Sequence, residues 1–400
     1  MDLSKPKIRL EHLIKIYGNA PYDALQRLRS GQSRDTILST SGHVVGVNDV
    51  SLAVDSGELF VIMGVSGSGK STLVRCMNRL IQPTSGQLYI DDEEIVQIKE
   101  HRLRQIRLTK VSMVFQRFGL FPHKTVAENV AYGLQIQGLN PRQRRHQALE
   151  ILAAVGLAEW ADYRPEALSG GMQQRVGLAR ALATGAEILL MDEPFSALDP
   201  MTRRDMQDDL LRLQRDFHKT IVFISHDIQE AMKLGDRIAV IKDGAIVQVG
   251  SPTTLITQPV NDYVRAFTQD INRTQVLTVG AVARPTTPWV QGKVSVSTAL
   301  AQWHHADWQY IVDSKGKVIG RVDKQTLEWA AQQGQDDLDH VMQAPPPEVQ
   351  SSTPLNQTFH LYQPRAELVV VDARDRLLGV IAAADVLNAM RSPPRGTEPV

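Results

Sequence analysis

The spacing of apolar residues changes period several times along the chain. Residues 8–17, IRLEHLIKIY, partly alternate apolar with polar, the mark of a half-exposed strand, and residues 44–54 form the next strand. Between them, 20–42 reads as an insertion of two short helices. Ala24, Leu25 and Leu28 line the first, which Gly31 stops; Ser33 caps the second, which Gly42 stops. Then come unbroken apolar runs, Leu59–Met63, Val111–Phe115, Ile188–Met191 and Ile221–Ser225. Runs of this kind mark strands buried on both faces, as in a parallel sheet covered by helices. Helical stretches separate them: after Thr72, over 100–110, over 126–163, over 176–184 and from Pro200 through 214. In the third stretch Asn140 is an N-cap, Pro141 suits the first helical position, and Leu149, Leu152 and Val155 form a stripe that Gly156 ends.

A second pattern appears near the end of the chain. Residues 299–320, ALAQWHHADWQYIVDSKGKVIG, align without gaps to 358–379, TFHLYQPRAELVVVDARDRLLG, 59 residues on. Leu300 matches Phe359, Trp303 matches Tyr362, Asp313 matches Asp372 and Gly320 matches Gly379. Each copy reads helix, strand, turn, strand, with a helical stretch following near 324–333 and 383–391. Pro345-Pro346-Pro347 marks the joint, and Pro393-Pro394 opens a tail. His304 and His305 read as exposed helix residues.

Composition narrows the function. The chain has 400 residues, enough for two or three domains, and 42% are hydrophobic and 22% charged, as in ordinary globular proteins. Basic and acidic residues number 44 each, so the net charge is 0 and nothing points to nucleic acid. The arginines at 102, 104 and 107, with Lys110, read as a solvated helix face. The single cysteine, Cys76, cannot pair within the chain and reads as a buried apolar residue. No run approaches the ~20 apolar residues of a membrane span, and Met1–Lys7 lack the apolar core of a signal peptide. Membrane association is therefore expected through a partner.

The chemistry gathers around Gly64, Val65, Ser66, Gly67, Ser68, Gly69, Lys70, Ser71 and Thr72, which fit the phosphate-loop pattern G-x-x-x-x-G-K-[ST] between a strand and a helix. Backbone N–H groups and a helix N-terminus suit phosphate, Lys70 reaches the outer phosphates, and Ser71 suits Mg²⁺. Asp192, at the tip of an apolar strand, suits Mg²⁺ held through water. Its neighbour Glu193 is placed to take a proton from an attacking water. His226 ends another strand, and ligands of open α/β sheets collect at those ends. Leu168, Ser169, Gly170, Gly171, Met172 and Gln173 make a second anion site at a helix start. One nucleotide rarely needs two such sites, whereas a nucleotide shared between two chains explains both. Tyr17 is either an ordinary strand aromatic or a base-stacking ring.

Over roughly residues 8–255 these motifs resemble the ATP-binding subunits of ABC transporters. Gly64–Thr72 resembles Walker A, Ile188–Asp192 Walker B, and Leu168–Gln173 the family signature. Gln116 matches the Q-loop glutamine, Ser196, Ala197, Leu198 and Asp199 the D-loop, and His226 the switch histidine. The resemblance implies an α/β P-loop NTPase with a RecA-like core, an antiparallel β subdomain and a helical subdomain at about 117–170, all within 8–270. It implies ATP and Mg²⁺ as cofactors, with Ser71, Gln116 and Asp192 on the metal and Tyr17 on the adenine. Glu193 is then the general base, and Lys70 and His226 contact the outer phosphates. It also implies a homodimer in which each ATP lies between Walker A of one chain and the signature of the other.

The repeats, at 280–340 and 343–396, resemble tandem CBS domains, an α+β pair. Of the residues after the two glycines, Asp385 alone fits well the Ser/Thr and Asp of nucleotide-binding CBS domains. The combination is similar to the ATP-binding subunits of glycine betaine/proline-type osmoprotectant importers. That family implies a membrane permease docked through Gln116 and 117–165, a periplasmic substrate-binding protein reached through the complex, and a place on the cytoplasmic face of the inner membrane. The rival readings are an importer ATPase for another small solute and a soluble non-transport ABC ATPase. The latter commonly carries two cassettes or a long coiled-coil insertion, and neither is present here.

Overall fold

The computed structural model describes residues 5–116, 119–303, 307–362 and 367–391; His304, His305 and the Pro393-Pro394 tail lie outside them. Two units separate in the chain, Met1–Thr268 and Gln269–Val400.

Among its described residues the first unit holds ten strands: β1 (Ile8–Tyr17), β2 (Val44–Val54), β3 (Leu59–Met63), β4 (Ser85–Ile90), β5 (Glu93–Glu94), β6 (Val111–Val114), β7 (Ile188–Asp192), β8 (Thr220–Ser225), β9 (Arg237–Lys242) and β10 (Ala245–Gly250). An antiparallel sheet runs β2-β1-β4-β5. A second sheet runs β10-β9-β3-β8-β7-β6, parallel from β9 to β6 with β10 as an antiparallel edge. Every residue of β3, β7 and β8 is buried, which is what their unbroken apolar runs require. The helix Lys70–Met77 shares one core with both sheets: Leu73, Val74, Cys76 and Met77 pack in a cluster with Leu10 and Val50 on one side and Phe60, Ile62, Leu190 and Ile241 on the other. Full burial of a Leu, Val or Met side chain is worth about 1.5–3 kcal/mol. Leu73, Val74 and Met77 therefore fix the helix, and with it the loop that opens it.

The insertion forms the helices Pro21–Arg29 and Arg34–Ser41. Ser33 accepts from the N–H of Thr36, and Gly42 ends the second helix at φ 69°. Ala24, Leu25 and Ile37 pack with Ile14, Ile16 and Val45 in a small core of their own. Tyr17 pairs directly with Val44, so residues 18–43 loop out without displacing either strand. Beyond β6, the helices Val126–Val130, Tyr132–Ile136 and Pro141–Ala154 and two 3-10 turns fill the stretch before the helix Gly170–Ala183. Asn140 accepts from Gln143 N at 3.0 Å, and Pro141 opens the longest of the three.

The face expected to be solvated over 100–110 is so at Arg102 and Arg104 and departs from that reading at Arg107. Arg107 Nε and Nη2 donate to the carbonyls of Asn78 (2.9 Å) and Arg79 (2.7 Å), just past the phosphate-loop helix. A guanidinium there complements the negative end of the helix dipole. Arg102 forks onto both oxygens of Glu93, and Lys110 meets Asp91 at 2.6 Å. Arg102 and Arg104 both stay exposed, Arg104 with only a loose pairing to Glu100.

The second unit repeats itself at the 59-residue spacing. In the first copy β12 (Trp289–Val290) runs parallel to β13 (Gln309–Val312), which hairpins into β14 (Val318–Val322) before the helix Lys324–Gln332. In the second, β15 (Glu348–Gln350) runs parallel to β16 (Glu367–Val371), which hairpins into β17 (Leu377–Ala382) before the helix Ala383–Met390. The copies exchange their leading segments. The two-residue strand β11 (Arg284–Pro285) precedes the first copy but pairs with β17 of the second. Gln343, 59 residues later, pairs back with Arg321 of β14. This crossing explains the matched glycines: a Cβ on Gly379 would stand 2.3 Å from the Arg284 carbonyl, and one on Gly320 at 3.0–3.2 Å from Met342 and Gln343. The matched aspartates hold the hairpin turns. Asp313 accepts from Lys315 N and Lys317 N, and Asp372 from Arg374 N and Arg376 N. Those bonds, with the Arg376 guanidinium, hold the Asp372 carboxyl down to about 2.

Candidate active site

The phosphate loop runs from the buried tip of β3 into Lys70–Met77. Gly69 caps that helix at φ 98°, and a Cβ there would stand 2.1 Å from the Gly46 carbonyl, so only glycine lets the loop close against β2. Lys70 is 4% exposed. Its ammonium donates to the carbonyls of its own loop, Gly64 and Val65, both at 2.9 Å. Burial pulls its pKa below the usual lysine value, and the charges of Glu193 and Asp192 work against that pull.

The tips of β7 and β8 supply the facing groups. Ser71 Oγ donates to Asp192 Oδ1 at 2.7 Å, and Arg75 donates to Asp192 Oδ2 at 3.0 Å. Two hard oxygen donors thus stand together beside the loop, one of them the buried carboxylate of Asp192, and this set fits Mg²⁺. The backbone then turns into the left-handed region at Glu193, φ 46°, a conformation that costs a non-glycine residue about 1–3 kcal/mol. The turn brings Glu193 Oε2 within 3.2 Å of His226 Nδ1 at the end of β8. Ser196 Oγ donates to the Glu193 carbonyl at 3.0 Å and lies 3.3 Å from the Gln116 amide nitrogen. Asp199 accepts from the N–H groups of Met201 and Thr202 as the N-cap of helix Pro200–Phe217, and the N–H and hydroxyl of Thr202 hold its carboxyl below the usual range.

Tyr17 stands at the first turn of the phosphate-loop helix. Its hydroxyl is 3.2 Å from Thr72 Oγ1, and its ring, 38% exposed, has Lys15 Nζ 5.1 Å from its centroid. The insertion is tied beside it: Ala20 N donates to His43 Nε2, and Arg34 reaches Asp243 in the turn whose Gly244 N donates to Ser68 O in the phosphate loop.

Lys70, Ser71, Gln116, Asp192, Glu193, Ser196 and His226 therefore meet in one chain. The signature segment stands apart from them. Ser169 caps the helix Gly170–Ala183 by accepting from Met172 N at 3.3 Å; the side chain of Gln173 ties down the carbonyls of Pro165 and Leu168; Leu168 is buried, and Gly170 is exposed. Among the described residues no hydrogen bond or ion pair joins Leu168–Gln173 to Gly64–Thr72. Sequence reasoning missed Arg75, which donates to Asp192; Arg203, which donates to the Leu198 carbonyl; and Glu230, which accepts from Gln207. Nothing in their local sequence pattern distinguishes them from ordinary surface charges on helices, although Glu230 is buried.

A phosphate loop facing a carboxylate pair and a histidine, at the strand tips of a parallel sheet, defines an ATP-binding cassette. The ABC transporter family model matches residues 47–196, and the CBS domain model matches 338–392. The chain is 44% identical over 392 residues to the glycine betaine/proline betaine transport system ATP-binding protein ProV of Escherichia coli, covering 96% of this chain and 97% of that one. It is 43% identical to the glycine betaine transport ATP-binding protein OpuAA of Bacillus subtilis, covering 98% and 94%. It is 45% identical over 328 residues to the trimethylamine N-oxide transport system ATP-binding protein TmoW of Ruegeria pomeroyi, covering 81% and 96%. Among solved structures, the dimeric ATP-binding cassette MJ0796 bound to ADP and Pi aligns with a TM-score of 0.52 at 34% identity, covering 61% of this chain and 98% of that one. The chain belongs to the glycine betaine-type family of ABC transporter ATP-binding subunits. It binds ATP and is an ABC-type ATPase.

Proposed function

We propose that this subunit energises import of a quaternary-amine osmoprotectant, of the glycine betaine or proline betaine class, by hydrolysing ATP. The observation that carries the hydrolytic reading is the 3.2 Å contact between Glu193 and His226, beside Lys70 and the Ser71–Asp192 pair. Phosphate oxygens displace the two loop carbonyls from Lys70, since a dianion binds an ammonium more strongly than neutral dipoles do. Tyr17 stacks on the adenine. Ser71, Asp192 and Gln116 are the groups that hold Mg²⁺, which supplies charge neutralisation on the phosphates when bound. Glu193 takes the proton of the attacking water, and His226 contacts the γ-phosphate and keeps the Glu193 carboxylate in place.

Because Ser169–Gln173 stands apart from the phosphate loop, a second copy supplies the signature helix to complete each site. A groove of about 250 Å³ lined by Leu80, Met113, Phe115 and Tyr132 lies beside Gln116, with Leu80 and Phe115 exposed, and it suits a short segment of a membrane permease. No helix among the described residues is long and apolar enough to cross a membrane. The subunit accordingly sits on the cytoplasmic face of the inner membrane through that permease, which receives solute from a periplasmic binding protein. The trimethylamine N-oxide relative, at 45% identity, favours a second reading in which the solute is another methylated amine.

The Glu193→Gln variant tests the mechanism. It is expected to bind ATP, lose at least ~100-fold in turnover and accumulate as an ATP-bound dimer on size exclusion. Parental turnover would assign the base to another group. Uptake of labelled glycine betaine against labelled trimethylamine N-oxide, in vesicles carrying the complete transporter, decides the solute.

A further inference from the structure

Arg203 and Gln207 lie one helical turn apart on Pro200–Phe217, on the same face, and both reach toward the turn that carries His226. The Arg203 guanidinium serves two segments at once. One terminal nitrogen donates to the carbonyl of Leu198 at 3.1 Å, within the Ser196–Asp199 stretch. The other lies 3.6 Å from Asp227 Oδ2, on the residue directly after His226. Asp227 spends its other oxygen capping the helix Ile228–Leu234, accepting from Gln229 N at 2.9 Å and Glu230 N at 3.4 Å.

The second link runs through the residue before His226. Gln207 Nε2 donates to Glu230 Oε1 at 3.2 Å, and Ser225 Oγ donates to Glu230 Oε2. Glu230 is buried, and desolvation lifts its carboxyl above the usual range against the pull of those two donors. Both chain neighbours of His226 are thus fastened to one helix. On its other side the imidazole meets Glu193, whose carbonyl accepts from Ser196 Oγ, and Ser196 belongs to the stretch that Arg203 holds. The contacts close a ring: Arg203, Leu198, Ser196, Glu193, His226, Asp227 and back to Arg203.

We infer that Arg203 is a positioning residue, which fixes the distance between the Ser196–Asp199 stretch and the His226 turn and so sets how the imidazole stands against Glu193. The inference rests on the reading of Glu193 and His226 as the hydrolytic pair. A planar guanidinium suits this task because it presents two donors at a fixed spacing; a lysine at the same place serves one acceptor as a point charge. Misplacement of about 1 Å at a reacting group costs up to ~100-fold in rate, so a tie remote from the phosphates acts on turnover and not on nucleotide affinity.

The test uses the full chain, with steady-state ATP hydrolysis and binding of a fluorescent ATP analogue. Arg203→Ala is expected to lower kcat by roughly 10- to 100-fold while leaving analogue affinity within about twofold, and Arg203→Lys to recover part of the loss. In a His226→Ala background, Arg203→Ala is expected to add little, because both changes disable the same step. Should Arg203→Ala fold poorly, Asp227→Asn removes the ion pair while its side-chain oxygen still caps the following helix. It is expected to lower kcat several-fold with the same non-additivity. Unchanged kcat in these variants, or losses that multiply independently with that of His226→Ala, would overturn the positioning role while leaving the hydrolytic pair intact. Unchanged kcat in His226→Ala alone would bring down the hydrolytic pair and this inference with it.

Discussion

In the first unit Lys70 donates to two carbonyls of its own loop, whereas in the second Arg284 is shared between two carboxylates, Glu367 and Asp385. Both are cations set among partners supplied by the chain, yet the partners differ in kind. Loop carbonyls are neutral dipoles, and a phosphate oxygen displaces them readily because its bond to an ammonium is charge-assisted. Carboxylates already provide charge-assisted bonds, so a guanidinium held by two of them has little to gain from an incoming anion. Lys70 is therefore poised for exchange, while Arg284 is a tie. Tyr310, whose hydroxyl donates to Glu367 at 2.9 Å, belongs to the same tie and joins the first repeat to the second. The lesson is that a buried or half-buried cation is read by what it would give up, not by its presence.

The comparison breaks most readily at Lys70. Lys70→Ala is expected to lower ATP turnover of the full chain by at least ~100-fold, since the developing charge on the outer phosphates loses its main cation. Turnover near the parental rate would place Lys70 with Arg284, as a residue that only holds structure. Arg284→Ala is the converse and smaller change. Glu367 and Asp385 lose their shared partner, and because Arg284 is itself half exposed the cost is about 1 kcal/mol. The expected result is a lower melting temperature for the second unit with ATP turnover within about twofold of the parent. A large loss of turnover would assign the tie a direct part in catalysis.

The smallest effect sharpens the packing beneath the loop. Burial pushes the Cys76 thiol up to about 12 from an ordinary 9.0. Its folded-state value is thus raised, so the unfolded chain releases the proton first. The stability that Cys76 contributes falls as pH rises past 9.0 and goes on falling to about 12. Cys76 is expected to resist a thiol reagent at pH 8 in the native protein and to react fully in denaturant. Rapid native labelling would mean that the phosphate-loop helix opens from its core.

What the sequence disclosed follows from distance along the chain. The phosphate loop was legible because its strand, glycines, lysine and helix are contiguous, and the repeat because 59-residue copies keep their aspartates and glycines in step. The reason for those glycines was not legible. Gly379 answers to the backbone of Arg284, in a two-residue strand too short to carry a period. Arg107 read as a surface charge because nothing in 100–110 reveals that two carbonyls near residue 79 lie within its reach. The contacts of Arg203 were hidden for the same reason: its acceptors come from separate turns that only the folded sheet brings together.

The exchange of leading segments between the repeats has a consequence for synthesis on the ribosome. Arg284 finds its partner at Val380, 96 positions further along. A nascent chain that has released the whole first repeat still holds β11 with nothing to pair against, and β14 waits likewise for Gln343. The first copy's sheet closes once Gln343 has emerged, whereas the second copy's sheet, with β11 at its edge, closes only when nearly all of that copy has emerged. The second unit should then mature in one late cooperative step, after the cassette ahead of it has folded during translation. A lineage that lost one copy would leave the survivor with an open strand edge, a known invitation to aggregation.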